Sequence, residues 1–294
     1  MGLHLVSDPV KQDRLYVERL AALVEESELD RTVLLAFDEI YNEKGKVDRD
    51  RTYLHVSNDY VRKVCDDRPD IFAFGASVHP SRNDALDELE RVAQQGACLV
   101  KLLPNSQGFD PADPRFVGYW RKLADLDLPL LIHCGFEHTI PPIDQKLGDP
   151  VRVRPVLEEG VNVIIAHAGS SGKFHLHETF GDTLALLTKY QNCWCDTSAL
   201  ANFWRSKYLF ELLDPPLLES VYGVQIEEPF TRFIHGSDYP IPITPFAFIG
   251  RTNRAERRRI SKLKNPLQMD IELKRLAGVP DECLTRTAEV LALQ

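Results

Sequence analysis

RFIHGSDYP, running from Arg232 to Pro240, sets an apolar, β-favouring pair (Phe233, Ile234) ahead of Gly236, then Asp238 and a turn-forming Tyr-Pro. That order describes a strand that carries an acid at its carboxyl end. Two earlier stretches do the same with histidine: PLLIHCG carries His133 and VNVIIAHAG carries His167, each at the close of an apolar run. Three side chains able to bind metal or move a proton thus stand at three strand ends.

Working outward, the same alternation fills the chain. Strands are predicted at Thr32–Phe37, Ile71–Ser77, Cys98–Leu103, Leu130–His133, Val161–Ala166, Cys193–Asp196 and Phe233–His235. Helices are predicted at Asp13–Glu26, Asn58–Cys65, Asp84–Gln94, Arg115–Leu126, Val151–Glu158, His177–Lys189, Arg205–Leu213, Asp270–Ala277 and Glu282–Leu291. The helices are amphipathic and the strands apolar on both faces, as in parallel sheets covered by helices. The expected fold is an α/β TIM-type (β/α)8 barrel forming a single domain over residues 1–294, with the first strand missing or atypical. Only GLHLV, residues 2–6, stands ahead of the first helix to supply that strand, and Asp8-Pro9 is read as breaking it. An open doubly wound sheet competes, but its Gly-rich phosphate turn after the first strand is absent.

Composition narrows the function classes. The chain has 294 residues, 44% hydrophobic, with a net charge of −9 and a sequence pI near 5.5, an acidic balance that argues against nucleic acid as partner. Its longest apolar runs fall far short of the roughly 18 residues of a membrane span, and no basic-then-apolar leader opens the chain. A cytoplasmic enzyme acting on a small molecule is the expectation, with a homo-oligomer left open. The six cysteines lack CxxC spacing and read as buried thiols, with Cys134, beside His133, as an alternative nucleophile. The basic run Arg251 to Lys264 reads as a solvated face.

In (β/α) barrels the chemistry gathers at the carboxyl ends of the strands. Lys101, His133, His167, Asp196 and Asp238 all occupy such ends, where each would be an expensive buried polar group without a partner. Imidazole nitrogen with carboxylate oxygen suits zinc or a similar divalent metal, with one position left for water. Asp238 is then the general base, and His167 either polarises the substrate or binds metal. Lys101 is either a carbamylated lysine bridging two ions or a cation paired with an acidic neighbour or a substrate carboxylate. Of the other histidines, His79 and His138 lie in loops near strand ends, His175 and His177 read as surface, and His235 has the opposite pleat parity to Asp238. The Ser170-Ser171-Gly172 turn after His167 offers a modest anion site.

The series KLLPNSQGFDP, LLIHCG, VIIAHAGSSG and IHGSDYP, in that order and spacing, resembles the amidohydrolase superfamily, in particular its amidohydrolase-2 branch. The resemblance covers nearly the whole chain. It implies a barrel enzyme in which His133 is the fifth-strand metal ligand, His167 the sixth-strand histidine beside metal and substrate, and Asp238 the eighth-strand ligand and general base. Lys101 falls where some members carry a bridging lysine. The implied activity is metal-dependent hydrolysis of a C–N or C–O bond by metal-activated water, using one or two ions, zinc foremost. Decarboxylation of a small carboxylic acid and a catalytically silent barrel are the alternatives. One departure stands out: the family's first strand ends in a His-x-His pair, whereas His4 has no partner two positions away. The expectation is therefore a chain that begins downstream of that pair, in which His133 and Asp238 need His167, Lys101 or another group to hold an ion.

Overall fold

A computed structural model describes residues 8–171 and 179–293. Helix α1 (Pro9–Glu25) leads into β1 (Thr32–Leu35), α2 (Asn58–Asp67), β2 (Phe72–Ala76), α3 (Ala85–Gln94) and β3 (Leu99–Leu102). A short α4 (Pro104–Gln107) precedes α5 (Val117–Asp125), β4 (Leu130–His133), α6 (Arg154–Glu158), β5 (Val163–Ala166) and α7 (Phe180–Lys189). The remainder runs β6 (Cys193–Asp196), α8 (Ser206–Leu212), α9 (Pro215–Tyr222), β7 (Phe233–Ile234), α10 (Arg254–Ile260), α11 (Pro266–Ala277) and α12 (Glu282–Val290). All seven strands anticipated from sequence are present. The expected strand in GLHLV lies outside the described residues.

The strands form one parallel sheet in which each spatial neighbour is the neighbour in sequence, β1 through β7. The sheet curls. Leu99, Ile164 and Ile234, from β3, β5 and β7, belong to one buried cluster with Leu291 of the C-terminal segment. In a flat sheet β3 and β7 would stand about 19 Å apart at roughly 4.8 Å per strand. Among the described residues β1 and β7 each pair on one side only, so the barrel is open where an eighth strand would close it.

The two-residue period of a strand sorts the side chains. Val100, Leu130, Ile132, Val163, Ile165, Cys193, Cys195 and Phe233 point outward into the larger core, where Trp120, Phe180 and Tyr208 of the helices are fully buried. The alternate positions point inward: Val33, Leu99, Leu131, Ile164, Trp194 and Ile234 form or pack on the inner cluster. One step further along the same parity come Lys101, His133 and Asp196. Cys134, by that rule, belongs to the outer core, where it is 1% exposed and burial pushes its thiol pKa up; the nucleophile reading does not hold.

Several helix ends differ from expectation for one reason, capping. The Asp8 side chain accepts from Val10 N at 3.0 Å and Lys11 N at 3.3 Å with Pro9 at the first helical position, so Asp8-Pro9 starts α1 instead of ending a strand. Asn265 likewise starts α11 at Pro266, and α9, unanticipated, is capped by Asp214 ahead of Pro215. No helix among the described residues is long and apolar enough to cross a membrane.

The short β7 is held from behind. Arg286 of α12 donates to Phe230 O and Phe233 O, both at 2.8 Å, and His235 N donates to Cys283 O at 2.8 Å. Lys274 of α11 donates to Gly236 O at 2.8 Å and to Asp270 Oδ2 at 2.5 Å, with both side chains of this ion pair buried. Burial lifts Asp270 to about 6 against the pull of Lys274. Lys274→Met is expected to leave the Asp270 carboxylate uncompensated, costing about 3–5 kcal/mol in urea unfolding at pH 8. The loss should shrink at pH 5, below that raised value, where Asp270 takes a proton instead.

Candidate active site

The ends of β3 to β7 place their inward side chains around a cavity of about 530 Å³. Lys101, His167, Asp196, Ser198 and Asp238 line it on one side, and Leu131, Ile164, Ile234 and Tyr60 make its apolar wall. His133 stands at the end of β4, 2% exposed, its ring packed edge-on against His167 with centroids 5.3 Å apart. A larger hollow, about 660 Å³, lies at the amino ends of the strands against Cys98 and Trp194 and holds none of these groups.

The turn after β5 is strained. His167, Ala168 and Gly169 all have positive φ (55°, 53° and 62°), a region that costs the first two of order 1 kcal/mol or more each. Three bonds over-determine it: Asp196 Oδ1 accepts from His167 N at 2.8 Å, Ser170 Oγ donates to His167 O at 2.6 Å, and Thr179 Oγ1 donates to Gly169 O at 2.6 Å. Asp238 has φ 59° and lies four residues beyond the last strand residue, Ile234, so it is a loop acid and not the strand-end residue expected from sequence.

The histidine tautomer follows from its neighbours. His167 Nδ1 lies 3.2 Å from Ser198 O and 2.7 Å from Ser198 Oγ. A carbonyl only accepts, so Nδ1 carries the proton and Nε2 keeps its lone pair. Ser198 Oγ in turn donates to Asp196 Oδ1, which also accepts from Ser198 N at 3.0 Å. Asp196 is therefore an anchor for both His167 and Ser198. Burial, then the charges of Arg205, His133 and Lys101, hold His167 well below the ordinary imidazole range, so it is neutral.

Asp238 Oδ2 lies 3.9 Å from His167 Nδ1, and about a third of its side chain (34%) is open to the cavity. Desolvation raises its pKa to about 7, Lys101 and Arg205 pulling down while Asp196 and Glu137 push up. Lys101 is 8% exposed, and burial lowers its pKa although Asp196, Asp238 and Glu137 oppose that. Among the described residues its amine has no ion pair within 4 Å. Arg205 donates through Nε to Ser170 O at 3.2 Å and brings a second cation to the same ring of acids.

Three members of the site were not anticipated. Glu137, 8% exposed, places Oε2 3.6 Å from His133 Nε2; Ser198 and Arg205 complete the set. A serine two residues after Asp196 is the spacing of an Asx-type turn and was readable. Nothing local distinguishes Glu137 or Arg205. Three further described histidines are held by neighbours outside the cavity chemistry: His79 is fully buried, with Nε2 bonded to Gln107 O at 3.0 Å and Nδ1 accepting from Ser81 N at 3.1 Å. His138 donates to Ser171 O at 3.2 Å. His235 Nε2 lies 3.8 Å from Asp270 Oδ2, behind the sheet as its parity implied. His4, His175, His177 and Gly172 lie outside the described residues, so the Ser-Ser-Gly anion site is only partly described; Ser170 and Ser171 are buried with their hydroxyls engaged.

Among the described residues His133 Nε2 is buried without a hydrogen bond, an orphaned nitrogen of the kind a metal ligand leaves. The donor types fit a divalent ion. Among the described residues, however, no group of three His, Cys, Asp or Glu side chains closes on one point. The fit is that of a partly built centre, in which His133 faces Glu137 while His167 and Asp238 flank the cavity.

A family model for amidohydrolases matches residues 3–249. Among solved structures the fold is shared with an uncharacterized TIM-barrel protein from Bordetella bronchiseptica (15% identity, 89% of this chain and 84% of that one, TM-score 0.57). It is shared too with 2,6-dihydroxybenzoate decarboxylase from Rhizobium (14% identity, 99% and 94%, TM-score 0.54). A third is a 5-carboxyvanillate decarboxylase from Novosphingobium aromaticivorans, solved with bound manganese (15% identity, 99% and 87%, TM-score 0.54). No curated protein matches.

In metal-free protein the Asp238 carboxyl should titrate near pH 7, seen as an infrared band lost in Asp238→Asn. Because the folded pKa is raised, the stability associated with the proton is full below the ordinary carboxylate range and is lost as pH rises through about 7. Asp238→Asn should flatten that part of the unfolding free energy against pH.

Proposed function

Since this chain belongs to the amidohydrolase family, we propose that it is a metal-dependent hydrolase cleaving a C–N or C–O bond in a small substrate that carries a carboxylate. The observation that carries this reading is Asp238, poised to titrate near neutrality and set 3.9 Å from His167 beside a cavity large enough for a small organic molecule. A group with that pKa can take a proton and return it at neutral pH.

The chain's own residues divide the work. Lys101, on the wall of a largely apolar cavity, attracts the substrate anion and fixes its orientation, with the field of buried Arg205 behind the same acids adding to it. The leucine and isoleucine wall excludes water from the rest of the substrate. Asp238, as carboxylate, accepts the proton of the attacking water as its oxygen bonds to the carbonyl carbon, then returns it to the departing nitrogen or oxygen. Neutral His167 presents the Nε2 lone pair, with Ser198 and Asp196 preventing the ring from turning. A divalent ion, zinc or manganese, would be held by His133 with help from the neighbouring acids, and when bound it supplies carbonyl polarisation and a more acidic water.

A second reading, decarboxylation of a small carboxylic acid, is favoured by the same pair of cations beside a protonatable acid. Loss of CO2 needs the carboxylate desolvated and a proton given to carbon, and Asp238 in its protonated form is the donor. The two readings separate by product. A panel of N-acyl and ester carboxylates alongside hydroxybenzoates should give turnover of the first group without CO2 release, and CO2 release from the second would replace the hydrolytic reading. In either case Asp238→Asn should lower kcat by at least roughly 100-fold with the fold retained, and Lys101→Met should raise KM more than it lowers kcat. Wild-type protein inert on the whole panel when loaded with zinc or manganese would support the silent barrel instead.

A further inference from the structure

We infer that Glu137 is a ligand for a divalent cation, held jointly with His133 at the end of β4. The inference rests on the metal-dependent reading above and adds to it a residue outside the expected set. Among the described residues His133 Nε2 is buried without a hydrogen bond, and a cation held there needs an oxygen donor within reach. Glu137 is the acid that the structure brings to the orphaned histidine.

The separation is the first argument. Glu137 Oε2 and His133 Nε2 stand 3.6 Å apart, and among the described residues no hydrogen bond reaches the nitrogen. A nitrogen–oxygen hydrogen bond would close to about 2.7–3.2 Å. Two ligands each about 2.1 Å from one ion, near the tetrahedral angle, lie roughly 3.4 Å apart. The gap matches a shared ion better than a shared proton.

The second argument is preorganisation. Glu137 Oε1 accepts from Ile140 N at 3.0 Å and from Thr139 N, which leaves Oε2 as the oxygen facing His133. Gln145 clamps the same residue from both sides of its backbone, donating to Glu137 O at 2.7 Å and accepting from Glu137 N at 3.0 Å. Asn105 of α4 holds Gln145 in turn at 3.2 Å. A surface acid has no need of such bracing, whereas a metal-ligating carboxylate is regularly held by outer hydrogen bonds that fix its free oxygen. The third argument is charge. The fields of Glu137, Asp196 and Asp238 all act on both Lys101 and Arg205, so among these described groups three carboxylates share two cations.

The competing account is a neutral His133–Glu137 hydrogen bond that merely shortens in solution. Glu137→Gln separates the two, because glutamine keeps the shape and can accept the Thr139 and Ile140 bonds while losing the charge. The full chain, stripped with a chelator, is titrated with Mn²⁺ while the signal of the free ion is followed by electron paramagnetic resonance, and with Zn²⁺ by calorimetry. One ion per chain is expected in the wild type, weakened at least roughly tenfold in Glu137→Gln and in His133→Asn. Circular dichroism must show both variants folded; if Glu137→Gln does not fold, Glu137→Asp replaces it, with the same loss expected from the shorter reach. Unchanged affinity in the folded glutamate variant would overturn the assignment, as would a wild type that binds neither ion. These readouts need no turnover: a metal bound through Glu137 in a protein inert on every substrate would sink the hydrolytic reading and leave this one standing.

Discussion

Burial of the strands on both faces, combined with their two-residue alternation, is the constraint on which the rest of the structure depends. Each strand must offer apolar side chains outward to the helices and inward to the lumen, and β3 to β7 satisfy both with runs such as Leu99–Val100 and Leu130–Leu131–Ile132. Parity then leaves no freedom at the strand ends. If Leu99 and Leu131 face the lumen, Lys101 and His133 must, and Asp196 follows Trp194 for the same reason. Cys134 is excluded from the lumen by the identical count. The polar groups of the site are thus consequences of the core packing beneath them.

Polar residues collected in this way would be ruinous if left alone, and the loops after the strands resolve the problem. Asp196 accepts from His167 N, Ser198 N and Ser198 Oγ, so one carboxylate fixes a strained turn, a serine rotamer and a histidine tautomer together. Gly236 is needed beside it, since a Cβ there would come within 2.9 Å of Ser198 Cβ and 3.2 Å of Asp196 Oδ2. On the far side Lys274 grips the Gly236 carbonyl from α11, itself neutralised by buried Asp270. Asp238 is therefore carried on a segment trapped between two buried charged groups, and its raised pKa is the price of a position inside the enclosure.

The family and the fold are those the motifs suggest, and the structure adds residues to the site that the motifs do not name. His133, His167, Asp238 and Lys101 were the expected metal set; His167 turns its protonated Nδ1 to Ser198 and keeps the Nε2 lone pair, and Asp238 belongs to a loop beyond a two-residue strand. What the structure adds is a set of opposed charges, Glu137 and Arg205 among them, whose fields act on Lys101 and Asp238.

The amino-acid sequence by itself determined the seven strands, their parallel arrangement, and the position of Lys101, His133 and Asp196 at strand ends. All of these rest on short-range periodicity and on residues that end apolar runs, which local physics controls. Capping by Asp8, Asp214 and Asn265 is also written locally, each followed by a proline at the first helical position, although Asp8-Pro9 reads equally as a strand break. Only the tertiary structure decided that Glu137 faces His133, that Arg205 reaches Ser170, that Ser198 bridges His167 and Asp196, and that the barrel is open between β1 and β7 among the described residues. Those facts depend on loop paths and on residues far apart in the chain being brought to one point, and no periodicity in sequence encodes the end point of a loop; it is set when buried donors, acceptors and charges must all find partners at once.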